Sequence, residues 1–359
     1  MKICLISVEI FAWGKYGGFG RATRLIGREL ARRGVEVYAV VPRRGNQQPV
    51  EEMDGMHVLG FKPYDLLEAY HLYREVDADI YHTQEPSMGT YLAMKAMPNR
   101  KHVVTFRDPR LFKDWWVEFT LPSINRLQVL SNWLYEDNPL VNWAVRHADR
   151  LYAASYLAGE HAKVKYHLDE RPQFLATPVQ IPNRVMKSSQ PTACFIARWD
   201  RRKRPEAFLE LAGHFPQVQF IAAGFSRDRI WDRRLREKYS RIRNLEMTGF
   251  VDQFSTQGIS AILSKSWVLV NTSVRESLPN SFIEAAAHRC AILSGVDPDG
   301  FASRFGCHVT NGNFDQGLQS LLADNRWREF GRLAHQYVSG IFATERSLDD
   351  HLQIYRSLL

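Results

Sequence analysis

Two glutamates eight residues apart, Glu276 and Glu284, are the residues whose type and spacing point most directly to chemistry. A run typical of a buried strand precedes them at 267–271, and an alanine-rich segment follows at 285–287. Proline, asparagine and serine occupy 279–281, and these residue types are common at helix starts. The segment therefore predicts a strand, a loop carrying Glu276 and a helix with Glu284 about one turn inside.

A helix start of this kind predicts an anion site. The N–H groups of the first helical turn have no partner within the helix and favour an anion, above all a phosphate. A carboxylate beside bound phosphate is unfavourable unless it accepts hydrogen bonds from hydroxyls. A nucleotide sugar supplies both phosphates and two sets of hydroxyls, on its ribose and on its hexose. The two glutamates therefore predict a nucleotide-sugar site.

Two further motifs lie after predicted strands. Gly17-Gly18-Phe19-Gly20 follows the first strand, and glycines allow a backbone to approach a pyrophosphate closely. On its own this motif is equally compatible with a tight turn. Arg198 and Lys203 follow the first strand of the second half, and a planar guanidinium with a compact ammonium suits a diphosphate. Their basic neighbours are also compatible with a solvated surface.

These motifs, in this order, resemble the retaining glycosyltransferases of family 4. Other stretches are similar to the same family, at 32–37, 197–203, 248–251 and 342–346. The resemblance implies an α/β fold of two facing Rossmann-like domains with parallel sheets, the GT-B architecture. Loops of both sheets would then meet in one cleft, since open parallel sheets bind ligands at the carboxyl ends of their strands.

The resemblance also implies an activity. It is the transfer of a hexose from a UDP-, GDP- or ADP-sugar to an acceptor hydroxyl, with retention of configuration. The acceptor would be a glycan, a lipid-linked molecule or a small molecule, with no metal, no further cofactor and no nucleic acid. The catalytic residues implied are Glu276, Arg198, Lys203 and Arg107. The donor-binding residues implied are Gly17, Gly18, Gly224, Phe250, Val251, Leu278, Asn280, Ser281 and Glu284.

The chain departs from the family pattern at two positions. Arg107 stands where the family usually carries a sugar-site histidine, and Arg184 stands where a glycine is usual. An arginine does not act as a general base, so Arg107 is expected to bind an anionic substrate group or to mark altered activity. The departures keep open a second interpretation, a catalytically silent nucleotide-binding relative that acts as the partner of another transferase.

A nicotinamide-dependent oxidoreductase is the other alternative. The glycine motif at 17–20 suggests it, but the full Gly-x-Gly-x-x-Gly spacing is absent. The predicted second strand at 35–41 is followed by Pro-Arg-Arg, with no acid for an adenine ribose. Affinity for a nucleoside diphosphate over NAD separates the two classes.

Short apolar runs alternate with helical patterns along the whole chain, which predicts parallel sheets covered by helices. A polar segment without periodicity at 185–191 is the expected linker. We expect an N-terminal acceptor-side domain at 1–187, a nucleotide-sugar-binding domain at 192–340 and a C-terminal helix at 341–359. The resemblance implies that this last helix packs back on the first domain.

Composition and cysteine usage indicate where in the cell the protein is expected. The chain has 359 residues, a net charge of +8 and four widely spaced cysteines, which predicts free thiols in the cytoplasm. No run is apolar enough for a membrane span, and the N-terminal run is predicted to be a strand rather than a leader. The aromatic segment 112–119 fits core packing, an acceptor wall or peripheral contact with the inner membrane face.

Overall fold

The computed structural model describes residues 1–14, 16–254 and 258–359. Within these ranges the chain forms two compact units. Unit 1 comprises Met1–Phe112, Leu130–Pro178 and Thr344–Leu359, and unit 2 comprises Lys113–Val129 and Val179–Ala343. The segment 113–129 thus belongs to the second unit although it lies in the first half of the sequence.

Unit 1 is built on an eight-stranded sheet whose strands are parallel except for β3, which runs antiparallel to β4 at one edge. The spatial order is β3-β4-β2-β1-β5-β6-β7-β8. The strands are β1 Lys2–Ile6, β2 Glu36–Pro42, β3 Val50–Met53, β4 Met56–Phe61, β5 Ile80–Thr83, β6 Lys101–Phe106, β7 Arg150–Ala153 and β8 Gln173–Phe174.

Among the described residues, seven helices occur between β1 and β8 in the sequence. They are α1 Gly18–Arg32, α2 Leu66–Val76, α3 Met88–Ala96, α4 Phe112–Thr120, α5 Arg126–Glu136, α6 Pro139–Arg146 and α7 Tyr156–Tyr166. Most of α4 and the start of α5 belong to unit 2.

Unit 2 is built on a six-stranded sheet in the order β11-β10-β9-β12-β13-β14, with every pair parallel. Its strands are β9 Thr192–Ile196, β10 Gln219–Ala223, β11 Leu245–Gly249, β12 Val268–Asn271, β13 Ala291–Ser294 and β14 Gly306–His308. Its helices are α8 Pro205–His214, α9 Arg229–Tyr239, α10 Gly258–Lys265, α11 Asn280–Ala287, α12 Phe301–Arg304, α13 Phe314–Leu322 and α14 Arg326–Ile341.

The last helix, α15 (Thr344–Leu358), packs within unit 1. Its apolar residues Leu348, Leu352 and Tyr355 join the core formed by β1, β2 and α1. The Tyr355 hydroxyl lies 2.6 Å from Nδ1 of His82, a fully buried residue of β5. This polar contact fixes the position of α15 against the sheet.

The alternation of apolar runs and helical patterns predicted the strands β1, β2, β4, β5, β6 and β7 and the strands β9 to β13, and all are confirmed. Apart from the half-buried β7 and the edge strand β11, these strands are largely buried, which is why their sequences are nearly continuous apolar runs. The edge strands β3, β8 and β14 went unpredicted because they are short and contain no buried residue, so their sequences form no apolar run. The predicted free cysteines are confirmed, with Cys4, Cys194 and Cys290 buried.

Candidate functional site

The candidate site of unit 2 lies where the strand order of its sheet reverses. In the order 3-2-1-4-5-6 of this sheet, β9 is the first strand and β12 is the fourth, and the two are neighbours. Connections leave β9 and β12 in opposite directions along the sheet, so a crevice opens between the loops at their carboxyl ends. Arg198 and Lys203 lie in the loop after β9, and Glu276 lies in the loop after β12.

Lys203 and Glu276 form an ion pair across this crevice. The same carboxylate oxygen of Glu276 accepts a hydrogen bond of 2.7 Å from the hydroxyl of Ser273. Both ion-paired side chains are mostly buried, which strengthens their attraction relative to an exposed pair. The two loops therefore present a cation and a carboxylate side by side.

Hydrogen bonds to backbone carbonyls hold the same two loops together. The Thr272 hydroxyl lies 2.7 Å from the carbonyl oxygens of both Lys203 and Arg204. The N–H of Val274 donates to the carbonyl of Arg202 at 2.9 Å. Because these contacts flank Lys203 and Glu276, the ion pair has a fixed backbone frame.

Asp200 is a buried carboxylate in the loop after β9, between Arg198 and Lys203. It accepts from the N–H of Lys203 at 3.2 Å and lies 3.6 Å from the guanidinium of Arg198. Burial alone raises the pKa of Asp200, but the cations of Arg202, Arg198 and Lys203 outweigh it and hold the pKa below its ordinary value. Asp200 is thus ionised and orders the basic residues around it.

Gly224, at the end of β10, is a position where only glycine fits. Its φ is +142°, and a Cβ atom there would lie 1.9 Å from the carbonyl oxygen of Ala197. Its N–H donates to the carbonyl of Gly249 at 2.8 Å, and its own carbonyl accepts from Arg236 at 3.0 Å. The close approach brings the loops after β9, β10 and β11 against one another.

Two phenylalanines stand beside Gly224. Phe225 and Phe250 are in edge-to-face contact, with ring centroids 5.8 Å apart, and Phe250 is partly exposed. Phe225 also lines a cleft of about 540 Å³ whose other walls include Arg229, Arg233 and Arg236 of α9. Val251 follows Phe250 and is half-buried.

The helix α11 begins after the Glu276 loop, as predicted. Pro279 is the N-cap, and Asn280 and Ser281 are the first two helical residues. Leu278 lies in the preceding turn and is half-buried. Glu284 lies one turn inside the helix and is buried.

Gly17 and Gly18 lie in unit 1, where Gly17 is the N-cap of α1. The N–H of Gly20 donates to the carboxylate of Glu9 at 3.2 Å. A Cβ atom on Gly17 would lie 1.9 Å from that carboxylate, so the glycine leaves room for Glu9. A protein carboxylate therefore lies at the helix N-terminus that follows the glycine motif.

Arg107 also lies in unit 1, after β6, and is buried. Its guanidinium donates to the hydroxyl of Thr177 at 2.7 Å and to the side-chain carbonyl of Gln84 at 2.5 Å. Burial lowers the pKa of Arg107 to about 10, so the group stays charged near neutral pH. The backbone N–H of Arg107 donates to the buried carboxyl of Glu85 at 2.6 Å.

Unit 2 thus holds most of the predicted site residues, and unit 1 holds Gly17, Gly18 and Arg107. Asp200, Arg202 and Thr272, which order the two loops of the crevice, were not predicted from the sequence. An acid between Arg198 and Lys203 was a usable signal for Asp200. The threonine carried no signal, because its role depends on the pairing of β9 with β12.

Two protein-family models match the chain. The model of Glycosyltransferase Family 4 matches residues 16–179, and that of Glycosyl transferases group 1 matches residues 190–323. The two matches together span most of the chain, and the chain belongs to the glycosyltransferases of this family 4, group 1 type. No curated protein matches it.

Solved structures give the same fold. Sucrose-phosphate synthase from Thermosynechococcus elongatus matches with a TM-score of 0.74 at 18% identity, over 99% of this chain and 98% of that one. Anabaena HepE in complex with UDP and glucose matches with a TM-score of 0.72 at 14% identity, over 99% of both chains. A glycosyltransferase from Rickettsia africae matches with a TM-score of 0.67 at 16% identity, over 99% and 98%. The fold is the GT-B fold.

Over 1–14, 16–254 and 258–359, none of the helices is both long and apolar enough to cross a membrane. The same ranges contain no group of three or more histidine, cysteine, aspartate or glutamate residues arranged to hold a metal ion.

The carboxyl of Glu85 predicts a pH dependence of stability. Burial raises the pKa of Glu85 to about 7. A raised folded-state pKa stabilises the protein below the unfolded pKa, and this contribution is lost as the pH rises through 7. We expect the free energy of unfolding of the wild type to fall relative to Glu85→Gln by about 3 kcal/mol between pH 4.5 and 8. Urea unfolding of both proteins checks this, and parallel pH profiles would contradict it.

Proposed function

We propose that the protein transfers a sugar from a nucleotide-diphosphate donor to an acceptor hydroxyl, with retention of anomeric configuration and without a metal. The observation that carries the proposal is the crevice of unit 2. It places Arg198 and the Lys203–Glu276 pair at the switch point of the sheet, with the start of α11 on the same loop.

Cations and amides would stabilise the leaving diphosphate. As the bond from the sugar carbon to the phosphate oxygen breaks, negative charge grows on the diphosphate, and Arg198, Lys203 and the first-turn amides of α11 would bind it. Asp200 and the loop contacts of Thr272 hold these groups before the donor arrives. Such preorganisation avoids rearranging the site during the reaction.

The two glutamates take separate roles in this proposal. Glu284, buried in α11, accepts hydrogen bonds from the ribose hydroxyls of the donor. Glu276 contacts the donor sugar, while Lys203 balances its charge. Gly224, Phe250, Val251 and Leu278 border the nucleoside, and Asn280 and Ser281 supply polar contacts at the helix start.

The acceptor proton needs no protein base in this scheme. The acceptor oxygen bonds to the sugar carbon on the face from which the diphosphate leaves, and its proton passes to the departing phosphate oxygen. Arg107 stays charged near neutral pH, so we assign it no role as a base. Gly17, Gly18 and Arg107 remain proposed substrate-side residues of unit 1.

The donor class has support from relatives of the same fold. HepE was solved with UDP and glucose and also with UDP-glucose. A UDP-sugar is therefore the first donor to test. Since one fold serves many substrates, GDP- and ADP-sugars are tested beside it. The cytoplasmic location stays a prediction.

Turnover of the donor tests the proposal. The purified protein is incubated with UDP-glucose, GDP-mannose or ADP-glucose in EDTA, and release of the nucleoside diphosphate is followed. Proton NMR identifies the anomer formed first. We expect one α-linked donor to give an α-configured product at a rate that added magnesium does not change. A β product or a strict magnesium requirement would contradict the proposal, and binding without turnover would favour the silent-relative alternative.

Glu284→Ala tests the ribose contact. Hydrogen bonds to a charged group contribute about 1.5–3 kcal/mol, so we expect the nucleoside diphosphate to bind about tenfold more weakly or worse. Titration calorimetry measures the affinity, and a melting curve shows whether the variant is folded. Glu206→Ala, on the first turn of α8, is the control and should bind as the wild type does. Equal affinity of Glu284→Ala and wild type would rule out the assignment.

A peripheral membrane contact is the second part of this proposal. Leu127, Leu130 and Leu134 occupy one face of α5, at positions i, i+3 and i+7, and they are 77%, 42% and 63% exposed. Arg126 begins the same helix, and the chain has a net charge of +8. An apolar helix face on a basic protein suits the headgroup region of an anionic bilayer.

Vesicle flotation tests this contact. We expect the wild type to float with vesicles containing phosphatidylglycerol, and the double variant Leu127→Glu/Leu134→Glu to remain in the soluble fraction. Val164→Glu, on α7, replaces another exposed apolar residue and should float as the wild type does. Failure of the wild type to float, or flotation of the double variant at the wild-type level, would contradict the contact.

A further inference from the structure

Two carboxylates of α4 contact the donor loops of unit 2, which are the loops after β9 and β12 that carry Lys203 and Glu276. Asp114 lies 2.9 Å from Nε of Arg275, and Glu118 forms an ion pair with Arg202. The two acids are four residues apart and therefore lie on the same face of α4. All four side chains of these two ion pairs are largely buried.

The arginines that these two acids contact are sequence neighbours of Lys203 and Glu276. Arg202 immediately precedes Lys203, and Arg275 immediately precedes Glu276. Lys203 and Glu276 are the residues that pair across the crevice. One face of α4 thus contacts the residue next to each member of that pair, on both loops.

A further contact joins α4 to the loop after β9. Ser123, which follows α4, accepts from the guanidinium of Arg202 at 2.9 Å. Its hydroxyl donates to the carboxylate of Asp200 at 3.1 Å. Asp200 in turn accepts from the N–H of Lys203. The chain segment from α4 to Ser123 therefore reaches the backbone of Lys203 through partly buried hydrogen bonds.

We propose that Asp114 and Glu118 are positioning residues of the transfer reaction, which hold the loops of Lys203 and Glu276 at the spacing that the transition state requires. This inference rests on the proposed function. The sequence suggested packing, an acceptor wall or a membrane contact for 112–119. The structure assigns the buried face of α4 to the donor loops and leaves Phe112 and Trp116 exposed.

A positioning role has a kinetic signature. Replacing the acids by their amides, Asp114→Asn and Glu118→Gln, removes two negative charges near the diphosphate. The electrostatic effect alone leaves anion affinity unchanged or raises it. Loss of loop alignment acts on the transition state, since small displacements of catalytic groups reduce rates strongly. We therefore expect kcat to fall about tenfold or more, while the dissociation constant of the nucleoside diphosphate rises by less than about threefold.

The experiment compares these variants with a matched control. Glu210→Gln removes another acidic partner in unit 2, because Glu210 accepts from Tyr239 and pairs with Lys238 away from the donor loops. The control should keep the wild-type kcat. Glu118→Asp retains the carboxylate and should recover part of the rate lost in Glu118→Gln. Melting curves confirm that each measured protein is folded, and the single variants decide the question where the double variant does not fold.

The outcomes separate this inference from the proposed function. If the wild-type protein turns over the donor and the amide variants have the same kcat, the positioning role alone is overturned. Loss of nucleoside diphosphate affinity at unchanged kcat would also overturn it, because that pattern assigns the acids to ground-state binding. If the wild-type protein shows no measurable binding of UDP, GDP or ADP, the proposed function is overturned instead.

Discussion

The pairing of β9 with β12 is the constraint on which the candidate site depends. These strands are neighbours in space but are separated in sequence by β10 and β11, and their connections run in opposite directions. The loops at their carboxyl ends therefore meet without covering the crevice between them. Lys203 and Glu276, 73 residues apart in the chain, become an ion pair for this reason.

Charge balance is the second physical theme of the site. A basic run such as 198–204 is usually solvated, yet here Arg198 and Arg202 lie against the buried Asp200. Burying one charge without a partner is strongly unfavourable, so the acids that accompany these cations are part of the fold. The same balance recurs where α4 supplies Asp114 and Glu118. The site thus combines fixed cations, suited to a diphosphate, with carboxylates that hold them in place.

The fold was largely predictable from the sequence because buried parallel strands and amphipathic helices leave periodic patterns. The candidate site residues Glu276, Glu284, Arg198 and Lys203 could be proposed from the sequence because their types fit phosphate and hydroxyl chemistry. What could not be predicted depends on tertiary contacts. The placement of α4 in unit 2 is one case, since an aromatic segment gives no indication of which unit it joins. The carboxylate of Glu9 at the start of α1 is another, because Glu9 and Gly20 are 11 residues apart in the chain and meet only in the folded protein.

Titration of the wild-type protein with UDP, GDP, ADP and NAD, first in EDTA and then with magnesium, tests the central claim most directly. The account predicts that one nucleoside diphosphate binds in EDTA, that magnesium leaves its affinity unchanged and that NAD does not bind. Binding of NAD alone, or of none of the four, would contradict the assignment of the unit 2 crevice to a nucleotide-sugar donor.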